Sequence, residues 1–303
     1  MDFLYLLESM RTPWLNEFML AITQLGDEIA FLVIALILFW CVDKKRGYYI
    51  LSVGFLGTLA NQFMKLYFQI PRPWVLDENF TILEEAREAA SGYSFPSGHT
   101  QSSVGTFGAI AYTFKNRWIR ITAIIIAILV PFSRMYIGVH TPLDVLVAAA
   151  MAIALILILH PVIMKDDGKR VPVLFGVMTF FAVAFLCYVE LYPFSADIDE
   201  HNLSSGIKNA YTLLGALLGL FVVYIADEKW IHFPTKAVWW VQILKVVFGL
   251  GAVLIVKSGL KTPINDLFGP SVGTAVRYFL IVIVAGMIWP LSFRWFARLG
   301  IKE

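Results

Sequence analysis

Long apolar stretches dominate the chain from residue 28 onward, separated by short polar breaks that hold most of the lysines and arginines. Residues 28–42, 47–69, 98–114, 119–137, 142–163, 171–192, 207–226, 238–257 and 273–293 each carry enough apolar length to predict a membrane-spanning helix. The third stretch is diluted by Gly98, Ser102, Ser103, Gly105, Thr106 and Gly108, so hydropathy alone would miss it. Small and hydroxyl residues suit a helix packed closely among others, which predicts a position at the bundle centre. The expected fold is an all-α polytopic membrane bundle of about nine transmembrane helices.

Residues 1–27 follow a different pattern. Glu8, Arg11, Pro13, Asn16 and Glu17 interrupt apolar anchors such as Phe3, Leu6, Leu7, Met10, Trp14 and Phe18, which predicts an amphipathic segment lying in the membrane interface. Thr12 and Pro13 look like the N-cap and first residue of a second short helix. Three regions result: the interfacial segment 1–27, a core over 28–164, and a four-helix extension over 165–303.

Composition agrees with a membrane protein, since 59% of the 303 residues are hydrophobic and only 15% charged. The net charge of +2 is small, and nothing in its distribution points to DNA or RNA. Sorted by loop, one side holds Lys44, Lys45, Arg46, Lys115, Arg117, Arg120, Lys165, Lys169 and Arg170, with more towards the C-terminus. The other side is poor in basic residues, so the first is expected to be cytoplasmic and the N-terminus external. Cys41 and Cys187 then fall at opposite faces, which disfavours a disulfide. Lys245, inside the eighth stretch, is expected to extend towards the nearby interface. The loop segment Ile82 to Ala90 is amphipathic and reads either as a surface lid or as a solvated connector.

Three motifs fall at the external ends of these helices: Lys65-x6-Arg72-Pro73, Pro96-Ser97-Gly98-His99, and Ser133-Arg134-x5-His140-x3-Asp144. Lys65, Arg72 and Arg134 supply fixed positive charge for an anion. Taken singly, each also suits an interfacial anchor or helix cap. Ser97, Gly98 and His99 open a helix, where free backbone N–H groups favour an anion. Thr141 and Pro142 suit an N-cap and N1 pair, which sets His140 just outside a helix and Asp144 one turn inside it. The aspartate can orient the imidazole, or complete a capping box with Thr141. His99, His140 and Asp144 could instead ligate zinc, but three neighbouring cations oppose a divalent ion, so neither metal nor cofactor is expected.

In all three motifs, residue types, order and spacing, the chain resembles the type 2 phosphatidic acid phosphatase superfamily, which includes lipid phosphatases, glucose-6-phosphatases and vanadium haloperoxidases. The resemblance covers roughly residues 28–164. It implies that His140 is the nucleophile forming a phosphohistidine, Asp144 orients it, and His99 protonates the leaving group and then activates water. It also implies that Lys65, Arg72, Ser97, Gly98 and Arg134 bind the phosphate. The expected activity is removal of a terminal phosphate from a lipid phosphate or diphosphate at the extracytoplasmic face of a bacterial cytoplasmic membrane. The external N-terminus and nine spans look like the glucose-6-phosphatase branch, so a sugar phosphate is the alternative substrate. A non-catalytic lipid transporter or binding protein is the alternative of a different class.

Overall fold

The computed structural model describes residues 1–87, 90–166, 168–196 and 198–299, and among them there are helices and no strand. In chain order the helices are α1 (Asp2–Ser9), α2 (Pro13–Thr23), α3 (Glu28–Cys41), α4 (Lys44–Phe68), the single turn α5 (Pro73–Leu76), α6 (Gly98–Thr113), α7 (Arg117–Tyr136) and α8 (Pro142–Met164). They continue as α9 (Arg170–Leu191), α10 (Glu200–Ala226), α11 (Trp239–Gly259), α12 (Lys261–Phe268), α13 (Pro270–Ile283), α14 (Trp289–Leu291) and α15 (Phe293–Phe296).

A helix occupies each of the nine stretches expected to span. Among the described residues, six helical stretches are long and apolar enough to cross a membrane by length and composition: α7, α8, α9, α10 with the π-helical turn that follows it, α11, and the run from α13 to α14. A seventh is reached if Pro13–Gly26 and Glu28–Cys41, which meet at 52°, form one broken span. The difference from nine lies in α3 and α6, only 14 and 16 residues long, and in α4, whose apolar run is diluted by Tyr48, Tyr49, Asn61 and Gln62. The chain is an integral multi-pass membrane protein.

The chain divides into two compact units. One comprises Met1–Leu32, Ile50–His160 and Phe194–Gly206; the other comprises Val33–Tyr49, Pro161–Pro193 and Ile207–Glu303.

In the first unit α4 and α6 pack closely through small residues. A Cβ on Gly57 would lie 1.6 Å from Gln101 Nε2, so any larger residue there requires the Gln101 side chain to move aside. Asn61 and Lys65 follow Gly57 at four-residue steps and therefore share its face. The polar residues of α6 point inwards: Thr100, Gln101, Ser103 and Thr106 are all buried. Leu4 packs with Phe80 and Ile82, and Met19 with Tyr136, Ile137 and Val139, while Phe3, Leu6, Met10, Trp14 and Phe18 remain exposed. The N-terminal helices thus present one apolar face to the protein and another outwards. Arg11 donates to Tyr136 O at 3.1 and 3.2 Å and to Thr81 O at 2.9 Å, and Tyr136 Oη donates to Asn16 Oδ1 at 2.8 Å.

Within the amphipathic stretch 82–90, Glu88 and Ala89 lie outside the described residues. The rest forms one 3-10 turn, Glu84–Ala86, with Ile82, Ala86 and Ala90 buried in apolar clusters and an exposed Arg87–Glu84 pair at 2.6 Å. The segment packs on the protein.

In the second unit Lys245 is fully buried, contrary to the expectation that it reaches the interface. Its Nζ lies 3.0 Å from Thr235 O, 3.3 Å from Trp40 O and from Gln242 Oε1, and 3.4 Å from Pro234 O, and it stands 4.2 Å from the ring centre of Phe293. Backbone carbonyls and an aromatic face replace water around this ammonium. Lys44 pairs with buried Asp227 at 2.7 Å, and Cys41 and Cys187 are free thiols.

Candidate active site

The three motifs converge in the first unit. Lys65 sits in the last turn of α4 with 7% of its surface exposed, and its Nζ donates to Tyr93 O. One turn earlier, Asn61 Nδ2 donates to Pro96 O at 3.1 Å, fixing the approach to α6. Arg72, buried at the N-cap of α5, donates from Nε to Gly92 O at 3.0 Å, from Nη2 to Ser91 O at 2.8 Å and from Nη1 to Val139 O at 3.0 Å. Most of its donor capacity therefore ties loop 91–93 to residues 139 and 140, and one N–H on Nη2 is left for a ligand. Burial pulls the Arg72 guanidinium down to about 10, against an opposing pull from Asp144, and it stays charged at neutral pH.

Ser97 is buried and N-caps α6, its Oγ accepting from Thr100 N at 3.4 Å while its own N–H donates to Asp144 O at 3.1 Å. The first turn of α6, with Gly98 and His99, thereby faces the start of α8. Arg134, in the last turn of α7, is 1% exposed; Nη1 donates to Thr23 Oγ1 at 2.9 Å, and Nε has no hydrogen-bond partner among the described residues. A buried guanidinium N–H without an acceptor is costly, and an oxyanion would satisfy it.

His140 is held between the motifs. Its Nε2 lies 3.0 Å from Arg72 Nη1, and its Nδ1 lies 3.4 Å from Asp144 Oδ2. Arginine can only donate, so Nε2 is the unprotonated nitrogen and the ring proton belongs on Nδ1, towards the carboxylate. That pair is long and poorly aligned, and Nδ1 makes no formed hydrogen bond. Burial first, then Arg72, Arg134 and Lys65, hold the proton affinity of His140 well below the usual value of 6.5, so the imidazole is neutral at neutral pH.

Asp144 does more than face His140. Its Oδ2 accepts from Thr141 N at 2.8 Å while its own N–H donates to Thr141 Oγ1 at 3.3 Å, a reciprocal capping box at the start of α8. The same Oδ2 accepts from Ser94 Oγ at 2.6 Å. The two roles weighed for Asp144 are compatible in one geometry.

The sequence patterns did not single out Ser94, Asn61, Thr23 or Asp27. Asp27 Oδ1 lies 3.2 Å from His99 Nε2. Asn61 was legible as the position one turn before Lys65; Thr23 and Asp27 carried no local signal. Among the described residues, no three His, Cys, Asp or Glu side chains gather in a way that could hold a metal ion.

Residues 46–167 match the family described as PAP2 superfamily, and residues 211–302 match PAP2 superfamily phosphatase, transmembrane extension. The chain is 33% identical over 149 residues to phosphatidylglycerophosphatase B of Bacillus subtilis (strain 168), covering 45% of this chain and 69% of that protein. It is 34% identical over 111 residues to undecaprenyl-diphosphatase BcrC of the same organism, covering 37% of this chain and 54% of that one, about half its length. A dihydrosphingosine 1-phosphate phosphatase of Schizosaccharomyces pombe is 24% identical over 295 residues, 88% of this chain and 67% of its own. No solved structure matches.

Proposed function

The chain belongs to the PAP2 superfamily, and on that premise we propose that it hydrolyses the terminal phosphate of a lipid phosphate or diphosphate through a phosphohistidine on His140, without a metal. The observation that carries this reading is a charge excess: buried Lys65, Arg72 and Arg134 surround a neutral imidazole, with Asp144 and Asp27 as the carboxylates paired there. A bound phosphate oxyanion offsets this excess, whereas a divalent metal would raise it.

In this mechanism the phosphoryl oxygens take N–H groups from Arg134, from Arg72, from Lys65 and from the first turn of α6 at Gly98 and His99. His140 Nε2 attacks phosphorus as the ester or anhydride P–O bond breaks, and His99, protonated once the phosphate dianion is bound beside it, gives its proton to the departing oxygen. Asp144 stabilises the positive charge that develops on His140 through Nδ1–H. Water then attacks the phosphohistidine, His99 takes the proton from that water, the N–P bond breaks, and both histidines return to their starting states. Ser97 and Gly98 shape the cradle by capping α6 and leaving room at its first turn.

The lipid class is supported by the activities named for the relatives and by the placement of all three motifs at helix ends, where a headgroup can enter while its tails stay in hydrocarbon. The lysine and arginine bias of the loops supports a site on the extracytoplasmic face with the C-terminus cytoplasmic, and a bacterial cytoplasmic membrane is the proposed setting. The test is phosphate release by detergent-solubilised protein from phosphatidic acid, phosphatidylglycerol phosphate, a polyprenyl diphosphate and glucose 6-phosphate. Lipid substrates are expected to react fastest, in the presence of chelator and with inhibition by vanadate, whose five-coordinate form resembles the transferring phosphoryl group. Faster turnover of glucose 6-phosphate than of every lipid overturns the lipid class, and activity lost to chelator but restored by zinc overturns the metal-free route.

A further inference from the structure

The N-terminal segment reaches the same site by a route that the three motifs do not describe. After α2, residues Gln24–Gly26 form a single 3-10 turn, and Asp27 extends from it with φ −67° and ψ 152°. The turn lies against the first residues of α6: a Cβ on Gly26 would sit 3.0 Å from His99 O, 3.1 Å from His99 Cβ and 2.7 Å from Val130 Cγ1. Only a glycine lets the backbone come this close. The approach sets Asp27 Oδ1 3.2 Å from His99 Nε2, and from the preceding helix Thr23 Oγ1 accepts Arg134 Nη1 at 2.9 Å. Two of the motif side chains are thus held by residues that precede the stretch 46–167 matched to the family.

We propose that Asp27 is a positioning residue for His99, fixing its tautomer and retaining its proton so that it can serve as the acid and then the base of phosphoryl transfer. The inference rests on the reading of His99 given above and adds the group that makes that role possible. A neutral His99 paired with a carboxylate through Nε2 carries its proton there and leaves Nδ1 as the free nitrogen. When His99 is cationic, Nδ1–H is the proton given to the departing oxygen, and Nδ1 is the atom that later accepts from water. Without Asp27 the charged groups facing His99 are Arg134 from α7 and Arg72 from the loop before α5, with His140 beyond. Both arginines oppose a positive charge on His99, so the cationic form depends on the carboxylate together with bound phosphate.

The test is the pH dependence of His99 carbethoxylation, read by mass spectrometry in the full-length detergent-solubilised protein, beside the rate profile for lipid phosphate hydrolysis. In Asp27→Asn the midpoint of His99 modification is expected to fall by about one pH unit, a roughly tenfold loss of proton affinity. The alkaline limb of kcat should move with it, and Asp27→Glu should restore most of the shift. A carboxylate that merely caps α3 would lower stability without moving either curve. Coincident modification midpoints in the parent and Asp27→Asn overturn the proposal. A midpoint that moves while the rate profile stays fixed upholds the pairing of Asp27 with His99 and instead removes His99 from its role as the acid. Because modification is read without turnover, the pairing is tested even on a protein that hydrolyses no lipid.

Discussion

Ser94 Oγ donates to Asp144 Oδ2 at 2.6 Å, and that same oxygen accepts the Thr141 N–H at 2.8 Å while standing 3.4 Å from His140 Nδ1. The carboxylate is thereby locked by two donors before it meets the imidazole. Both donors also spread its negative charge, and a hydrogen bond to a charged group is worth about 1.5–3 kcal/mol. Ser94→Ala frees Oδ2 to swing away from His140 and is expected to lower kcat about tenfold with little change in KM. An unchanged kcat would show that Thr141 alone suffices to place Asp144.

The electrostatics of His140 give a pH prediction of definite sign. Its folded-state proton affinity is depressed by burial and by Arg72, Arg134 and Lys65, so the neutral, nucleophilic form persists above that value and is lost as pH falls through it. An imidazole signal assigned by its absence in His140→Gln should titrate below 6.5, the value usual for histidine. A midpoint at or above 6.5 would mean that the three cations do not act on this ring.

Arg134 uses one arm on Thr23 and presents an unpartnered Nε. Lysine cannot reproduce both contacts. Arg134→Lys is expected to cut kcat/KM by about 10²–10³-fold, the usual loss for one preorganised donor. Thr23→Val, which leaves the charge in place, should cost much less. Equal losses in the two variants would assign Arg134 to holding the N-terminal segment.

The close approach of α4 and α6 carries both Lys65 and His99. Gly57→Ala forces buried Gln101 aside and is expected to destabilise the protein by about 1–3 kcal/mol, seen as a lower Tm in detergent. An unchanged Tm would mean that the Gln101 side chain moves freely and that the helix contact is looser than its distances imply.

Much of this arrangement was legible along the chain. Apolar length marked where the helices lie, and the spacing of His140, Thr141, Pro142 and Asp144 located a helix start with the imidazole just outside it. What stayed hidden was long-range. Glu8, Arg11 and Asn16 read as residues too polar for hydrocarbon, yet Arg11 and Asn16 bond Tyr136 at the end of α7 and dock the N-terminal helices there. Thr23 and Asp27 meet Arg134 and His99 only because of that docking, and no spacing rule links positions so far apart. Lys245 misled for the same reason: its acceptors on Trp40, Pro234 and Thr235 come from outside its own helix.

Phosphoryl transfer through His140 is the centre of the account, and the most direct measurement is phosphate release from the preferred lipid phosphate by the parent protein and by His140→Ala at matched folded concentration. Loss of about four orders of magnitude or more in the variant, with lipid binding retained, is the expected result. Turnover by His140→Ala within about tenfold of the parent would contradict it, because no general acid or oxyanion contact alone can replace the nucleophile.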